Sequence, residues 1–149
     1  MRGTPTSVLT QVVSRLLLAP ILVIAVAVLV KGYADVGDGF SAGVIAALGI
    51  LLQYMAFGRA ETERLLPIRL VPLLAFVGML VALVIAAVPL LRGDAILTHA
   101  PGPRQDVVAL GTLELITAVG FDVAIFLLVV GAAVGIIHAI AVVAEGEKR

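Results

Sequence analysis

Four apolar stretches, each long enough to cross a bilayer, follow one another along the chain. A membrane-spanning helix needs about 20 predominantly apolar residues. The stretches cover residues 12–30, 40–58, 70–91 and 121–144. Their only Lys, Arg, Asp, Glu or His residues are Arg15 near the start of the first stretch, and Asp122 and His138 near the two ends of the fourth. The pattern predicts an all-α integral membrane protein with four transmembrane helices, forming a single domain over residues 1–149.

The composition excludes several other classes of protein. Apolar residues make up 62% of the 149 residues and charged residues 13%, whereas soluble domains have about 45–50% and about 25%. Ten basic and ten acidic residues give no net charge, so nothing indicates binding to nucleic acid. Cysteine is absent and there are only two histidines. We therefore expect no disulfide, no metal site and no cofactor.

The basic residues predict the orientation in the membrane. Seven belong to the two termini, the start of the first stretch and the loop between the second and third: Arg2, Arg15, Arg59, Arg64, Arg69, Lys148 and Arg149. Three belong to the other two loops: Lys31, Arg92 and Arg104. Cytoplasmic loops carry the excess of Lys and Arg, so both termini are predicted to be cytoplasmic. Reporter fusions at Arg149 and near Gly102 should report opposite sides, and the same side for both would contradict four spans.

The segment at residues 92–120 precedes the fourth stretch. It contains Pro101-Gly102-Pro103, which predicts a turn, and then an apolar run at 107–119 interrupted by Glu114. That run is too short to span a membrane. It predicts an interfacial helix leading into the fourth span, with a re-entrant segment as the alternative.

A glycine-rich loop leads into the second stretch. Gly32, Gly37 and Gly39 are followed by Phe40 and then by Gly43. Glycine permits positive φ and close approach of backbones. One interpretation is a tight turn between antiparallel helices. The other is a folded loop that docks a neighbouring subunit.

Two pairs of glycines have the spacing that allows helices to pack closely in lipid. Gly39 and Gly43 are four residues apart, as are Gly131 and Gly135. The spacing fits packing within this chain and equally packing against another subunit.

The ionisable residues of the fourth stretch each allow a structural and a functional interpretation. Asp122 follows Phe121 at the predicted helix start, where a carboxylate caps free N–H groups; the alternative is a place along an ion path. His138 and Gln53 are predicted to lie at similar depth, because their helices run in the same direction. A hydrogen bond between them is favoured, and a proton relay through His138 is the alternative.

Other chemistry is missing from the spans. None contains a Lys or Glu, and a proton-coupled antiporter core usually needs a buried ionisable residue of that kind. The sequence contains no nucleophile triad, phosphate-binding loop or zinc motif. We therefore expect no catalytic residues and no enzyme activity.

Two motifs, in this order and spacing, resemble those of the MnhB/MrpB family, and the resemblance extends from the first span to about Ile140. The family's motifs read roughly Gly-His-Asn-x-Pro-Gly-Gly-Gly-Phe, followed by a further glycine, and Phe-Asp-Ile-Gly-Val-Tyr. The matching positions are Gly32, Gly37, Gly39, Phe40, Gly43, Phe121, Asp122 and Gly131. The departures, which suggest a divergent branch, are Tyr33, Ala34, Val36, Asp38 and Ala124.

The resemblance implies a multi-pass subunit of the cell membrane without catalysis of its own. Such a subunit belongs to an Mrp-type Na+/H+ antiporter, whose transported ions are Na+ and H+. Its expected partners are the sister membrane subunits and the lipid bilayer. Residues assigned by hypothesis to the ion route or to subunit packing are Gly32, Gly37, Gly39, Phe40, Gly43, Gln53, Phe121, Asp122, Gly131 and His138. The alternatives are the equivalent subunit of a redox-driven pump, such as a membrane-bound hydrogenase, and a stand-alone homo-oligomer.

Overall fold

Four long helices account for most of the structure. It is a computed structural model that describes residues 7–32, 37–65, 68–91, 93–98, 109–110, 113–114 and 117–146. The long helices are α1 (Val8–Lys31), α2 (Gly39–Phe57), α4 (Val71–Leu91) and α5 (Thr117–Gly146). All four are long and apolar enough to cross a membrane, which confirms the predicted spans. Helix α3 (Arg59–Leu65) and a 3-10 turn (Ile68–Leu70) connect α2 to α4.

The long helices do not pack in the order in which they occur in the chain. Helix α1 packs against α2, α2 against α5, and α5 against α4. The outermost helices α1 and α4 share no comparable contact. Helix α5 therefore joins the first two helices to the fourth.

The interior is built around α2. Half of the α2 span is buried within the chain, against 11% of the α1 and α4 spans. Its buried side consists mainly of small residues, among them Ala42, Ala46 and Ala47. Small side chains at helix contacts let the backbones approach, which is how helices associate in lipid, where apolar burial gives little gain.

Helices α4 and α5 make the same kind of contact through glycines. A Cβ atom built on Gly78 would lie 2.5 Å from Ala124 O, and one on Gly131 would overlap the backbone N of Ala75. A Cβ on Gly135 would make only ordinary contact with Pro72, at 3.5 Å. Gly131 is therefore used for packing within this chain.

The segment before α5 differs from the prediction. Strands β1 (Ala109–Leu110) and β2 (Leu113–Glu114) pair antiparallel, with Leu110 opposite Leu113. The interfacial helix predicted here is therefore wrong for these residues, and the apolar end of the run belongs to α5. The sequence of the run contains Gly111, and glycine is a poor helix former.

Candidate functional site: two polar clusters at opposite ends of the span

Two groups of polar contacts join α5 to other parts of the chain. We call one the loop cluster: Lys31, Gly37, Asp38 and Asp122. We call the other the histidine cluster: Tyr54, Arg59, Glu63 and His138. Asp122 and His138 are both on α5, 16 residues apart, which corresponds to roughly 24 Å at 1.5 Å per residue. The two clusters therefore lie towards opposite sides of the membrane.

Asp122 fastens the glycine loop to α5. It lies in the second turn of the helix, which begins at Thr117, and it is 6% exposed. Its Oδ2 accepts a hydrogen bond from the backbone N–H of Gly37 at 2.9 Å. The prediction that Asp122 caps its own helix is wrong, because that helix starts earlier than the apolar stretch indicated.

The start of α2 and the end of α1 lie beside this bond. Gly37 immediately precedes Asp38, the residue at the N-cap of α2, and a helix N-terminus favours a nearby negative charge. Lys31 at the end of α1 forms an ion pair with Asp38, with Nζ 3.2 Å from Oδ2. The loop ends of three helices are thus tied together.

Glycine is required at two positions in and beside the loop cluster, Gly37 and Gly39. Gly37 has φ +121°, a conformation that residues with a side chain rarely adopt. A Cβ on Gly39 would overlap the backbone carbonyl oxygen of Asp122. One on Gly32 would lie 3.2 Å from Oδ2 of Asp122. The glycines therefore allow the backbone of the loop to lie close to Asp122 of α5.

The remaining residues predicted near this end face different surroundings. Gly43 packs on α5, since a Cβ there would lie 2.8 Å from Cβ of Val129. Phe121 is partly buried. Phe40 is 61% exposed.

The histidine cluster joins α2, α3 and α5. Nδ1 of His138 lies 3.0 Å from Oε1 of Glu63 and 3.4 Å from the hydroxyl of Tyr54. The same Glu63 oxygen accepts a hydrogen bond from Nε of Arg59 at 2.7 Å. The side chains are largely buried, with His138 24% and Glu63 12% exposed. The histidine cluster therefore links α2 and α3 to α5 through largely buried polar side chains.

Gln53 does not contact His138 in the way the sequence predicts. Its Nε2 donates to the backbone O of Ser14 at 2.8 Å, which joins α2 to α1. Its Oε1 is buried and has no hydrogen-bond partner in the described part of the chain. The neighbouring Tyr54 faces α5 instead and meets His138. The prediction placed the contact with His138 at the right level of α2, but it assigned that contact to Gln53 and not to the adjacent Tyr54.

Three members of the histidine cluster were not predicted from the sequence. Arg59 and Glu63 are four residues apart, the spacing of an ion pair along a helix, so their mutual contact could have been predicted from the sequence. Nothing in the sequence placed Glu63 beside His138. Among the described residues, no three His, Asp or Glu side chains lie close enough together to hold a metal ion.

Known proteins similar to this chain are antiporter components. Residues 9–135 match the family described as "Domain related to MnhB subunit of Na+/H+ antiporter". The chain is 34% identical to the B-type subunit of the Na(+)/H(+) antiporter of Alkalihalophilus pseudofirmus, over 90% of this chain and 92% of that protein. It is 32% identical to the protein of the same name from Bacillus subtilis, over 87% and 90%.

A third relative is a much longer protein. The probable K(+)/H(+) antiporter protein of Rhizobium meliloti, named as an A/B subunit, is 36% identical over 74% of this chain, a match that covers 11% of that protein. A region similar to this chain therefore also occurs within a larger antiporter polypeptide.

Proposed function

The chain belongs to the MnhB family of Na+/H+ antiporter subunits, and from this we propose that it packs against sister subunits and supports their cation route without transporting ions by itself. It is a multi-pass protein of the cell membrane and one component of a multisubunit Mrp-type antiporter. Its family is one of transport proteins rather than catalytic enzymes.

The observation that carries this proposal is the loop cluster, bonded to α5, beside an exposed aromatic ring. Asp122 and the glycines hold the loop against α5, so the start of α2 is fixed in place. Phe40, in the first turn of α2, projects outward with 61% of its surface exposed. A rigidly mounted, exposed aromatic side chain is well suited to fill a pocket in a neighbouring subunit.

The proposed neighbour at this end is the A-type subunit of the antiporter. The Rhizobium meliloti relative carries the A and B designations in one polypeptide, which supports direct packing between the two components. The cations proposed for the complex are Na+ and H+, after the names of the first two relatives. Because the third relative is named for K+, transport assays should include both alkali cations.

Affinity purification tests the proposal, and Phe40 provides its most specific variant. The tagged chain, extracted from native membranes in mild detergent, should carry the other antiporter subunits with it. Phe40→Ala should weaken this association, because truncating an aromatic anchor at an interface costs about 2 kcal/mol or more, roughly thirty-fold in affinity.

Phe76→Ala is the matched control, since Phe76 on α4 is 66% exposed and is not part of the loop cluster. It should co-purify with the same subunits as the unaltered chain. Equal yields from the two variants would contradict a docking role for Phe40. Recovery of a homo-oligomer alone, or of hydrogenase subunits, would contradict the proposed assembly.

A further inference from the structure

We propose that His138 and Glu63 form a proton-binding site that controls how firmly α3 is held against α2 and α5. This inference does not depend on the identity of the neighbouring subunits. It rests on the geometry of the histidine cluster, on the charges that face the imidazole, and on the way α3 is attached.

The geometry identifies the atom that exchanges the proton. Nδ1 of His138 lies 3.0 Å from a carboxylate oxygen of Glu63. A carboxylate accepts hydrogen bonds and cannot donate them, so Nδ1 carries a hydrogen in both the neutral and the cationic ring. The proton is therefore gained and lost at Nε2. The hydroxyl of Tyr54 lies 3.4 Å from the same Nδ1 atom, so its oxygen shares that hydrogen with Glu63 at a longer distance.

The charges facing the ring come from two elements in the described part of the chain. Helix α2 contributes Tyr54, and α3 contributes Glu63 together with Arg59, which binds the same Glu63 oxygen at 2.7 Å. With a neutral His138, Arg59 and Glu63 balance each other. Protonation of His138 places a second cation, beside Arg59, against that Glu63 oxygen. The imidazole changes from a neutral hydrogen-bond donor to an ionised one. Hydrogen bonds with an ionised partner are roughly twice as strong as neutral ones.

The attachment of α3 is sensitive to this change. Helix α3 has seven residues, too few to be stable in isolation. Thr62 is buried and bonds within its own turn, from Oγ1 to the carbonyl of Gly58 at 2.7 Å. The bond between Glu63 and His138 joins α3 to α5. The hold on α3 is therefore strongest when His138 is protonated and weakens as rising pH removes that proton.

The site lies near one end of the spanning helices. The His138 side chain is 24% exposed, and the cluster lies where α2 ends and α3 begins. Histidine is the side chain that ordinarily titrates between about pH 5 and 8.

A spin label on α3 measures the effect directly. The chain contains no cysteine, so Ala60→Cys places one label on an exposed position of α3 without altering a charge. The labelled complex is reconstituted into lipid nanodiscs, and label mobility is recorded from about pH 5 to 8, where histidine titrates. Complex containing the unaltered chain is carried through the same labelling to subtract the background. A label at Leu91→Cys, on the exposed end of α4, serves as the positional control.

The expected result is a one-proton transition in the mobility of the α3 label, with the less mobile form at low pH and none at the α4 label. His138→Gln and Glu63→Gln should each remove the transition while keeping a neutral hydrogen-bonding side chain. Mobility independent of pH in the unaltered chain, or an unchanged transition in His138→Gln, would overturn the proposal. If His138→Gln does not assemble, an unchanged transition in Glu63→Gln overturns it equally.

Discussion

Replacing Gly39 by leucine is expected to abolish assembly of the complex. A Cβ atom at this position would overlap the backbone carbonyl of Asp122, and backbone cannot move aside as a flexible side chain can. The start of α2 would be forced away from α5, and the bond between Gly37 and Asp122 would break with it. Overpacking a tight interior usually costs about 1–3 kcal/mol, occasionally more, and we expect the upper end here. Native gels of solubilised membranes measure the yield of complex.

Gly146→Leu supplies the matched control for this prediction. It makes the same change of residue near the end of α5, where nothing lies within 4 Å of an added Cβ atom. This variant should assemble normally. Gly39→Ala should have an intermediate effect, because even one methyl group meets the carbonyl. A normal yield of complex with leucine at Gly39 would contradict the close packing of α2 on α5.

The second large effect is expected at Asp122. Asp122→Ala removes the acceptor for the Gly37 N–H group, and losing a hydrogen bond to a charged group costs about 1.5–3 kcal/mol. Asp122→Asn keeps an oxygen that accepts this bond but removes the charge. If the carboxylate only fastens the loop, the Asn variant should assemble and transport normally while the Ala variant loses complex. Cation-driven proton movement in everted vesicles and complex yield are measured on the same samples.

Asp94→Asn controls for the removal of one negative charge, since Asp94 is exposed in the turn after α4. It should leave both yield and transport unchanged. A fully assembled Asp122→Asn complex without transport would show that the charge itself serves the ion route. That outcome would replace the fastening role with a functional one.

The sequence predicted the spans well and the contacts between them poorly. Hydropathy located all four long helices, because a span needs a long apolar run whatever it packs against. The same property conceals which face of a helix is buried, since membrane helices are apolar all round and lack the stripe seen in soluble helices. Gln53 and Tyr54 illustrate this, because they are adjacent in sequence yet join α2 to two different helices.

The glycines were predicted to allow close packing, but their partners were not. Spacing alone left open whether Gly39 and Gly131 face this chain or another subunit. The structure places one against Asp122 of α5 and the other against Ala75 of α4. The capping role predicted for Asp122 was wrong because the start of an apolar stretch does not mark where its helix begins. Helix α5 starts at Thr117 and so includes the end of the apolar run at 107–119.

The order in which the helices pack also bears on how the protein is made. Ribosomes deliver the amino-terminal part first, so α1 and α2 can pair as a hairpin early in synthesis. Helix α4 then enters the membrane without its main partner, because it packs on α5 and not on the hairpin. The glycine surfaces of α2 and α4 stay open until the last span is inserted. Completion of the fold therefore waits for the insertion of α5, and a nascent chain halted before α5 would expose two helix-binding surfaces to the other proteins of the bilayer.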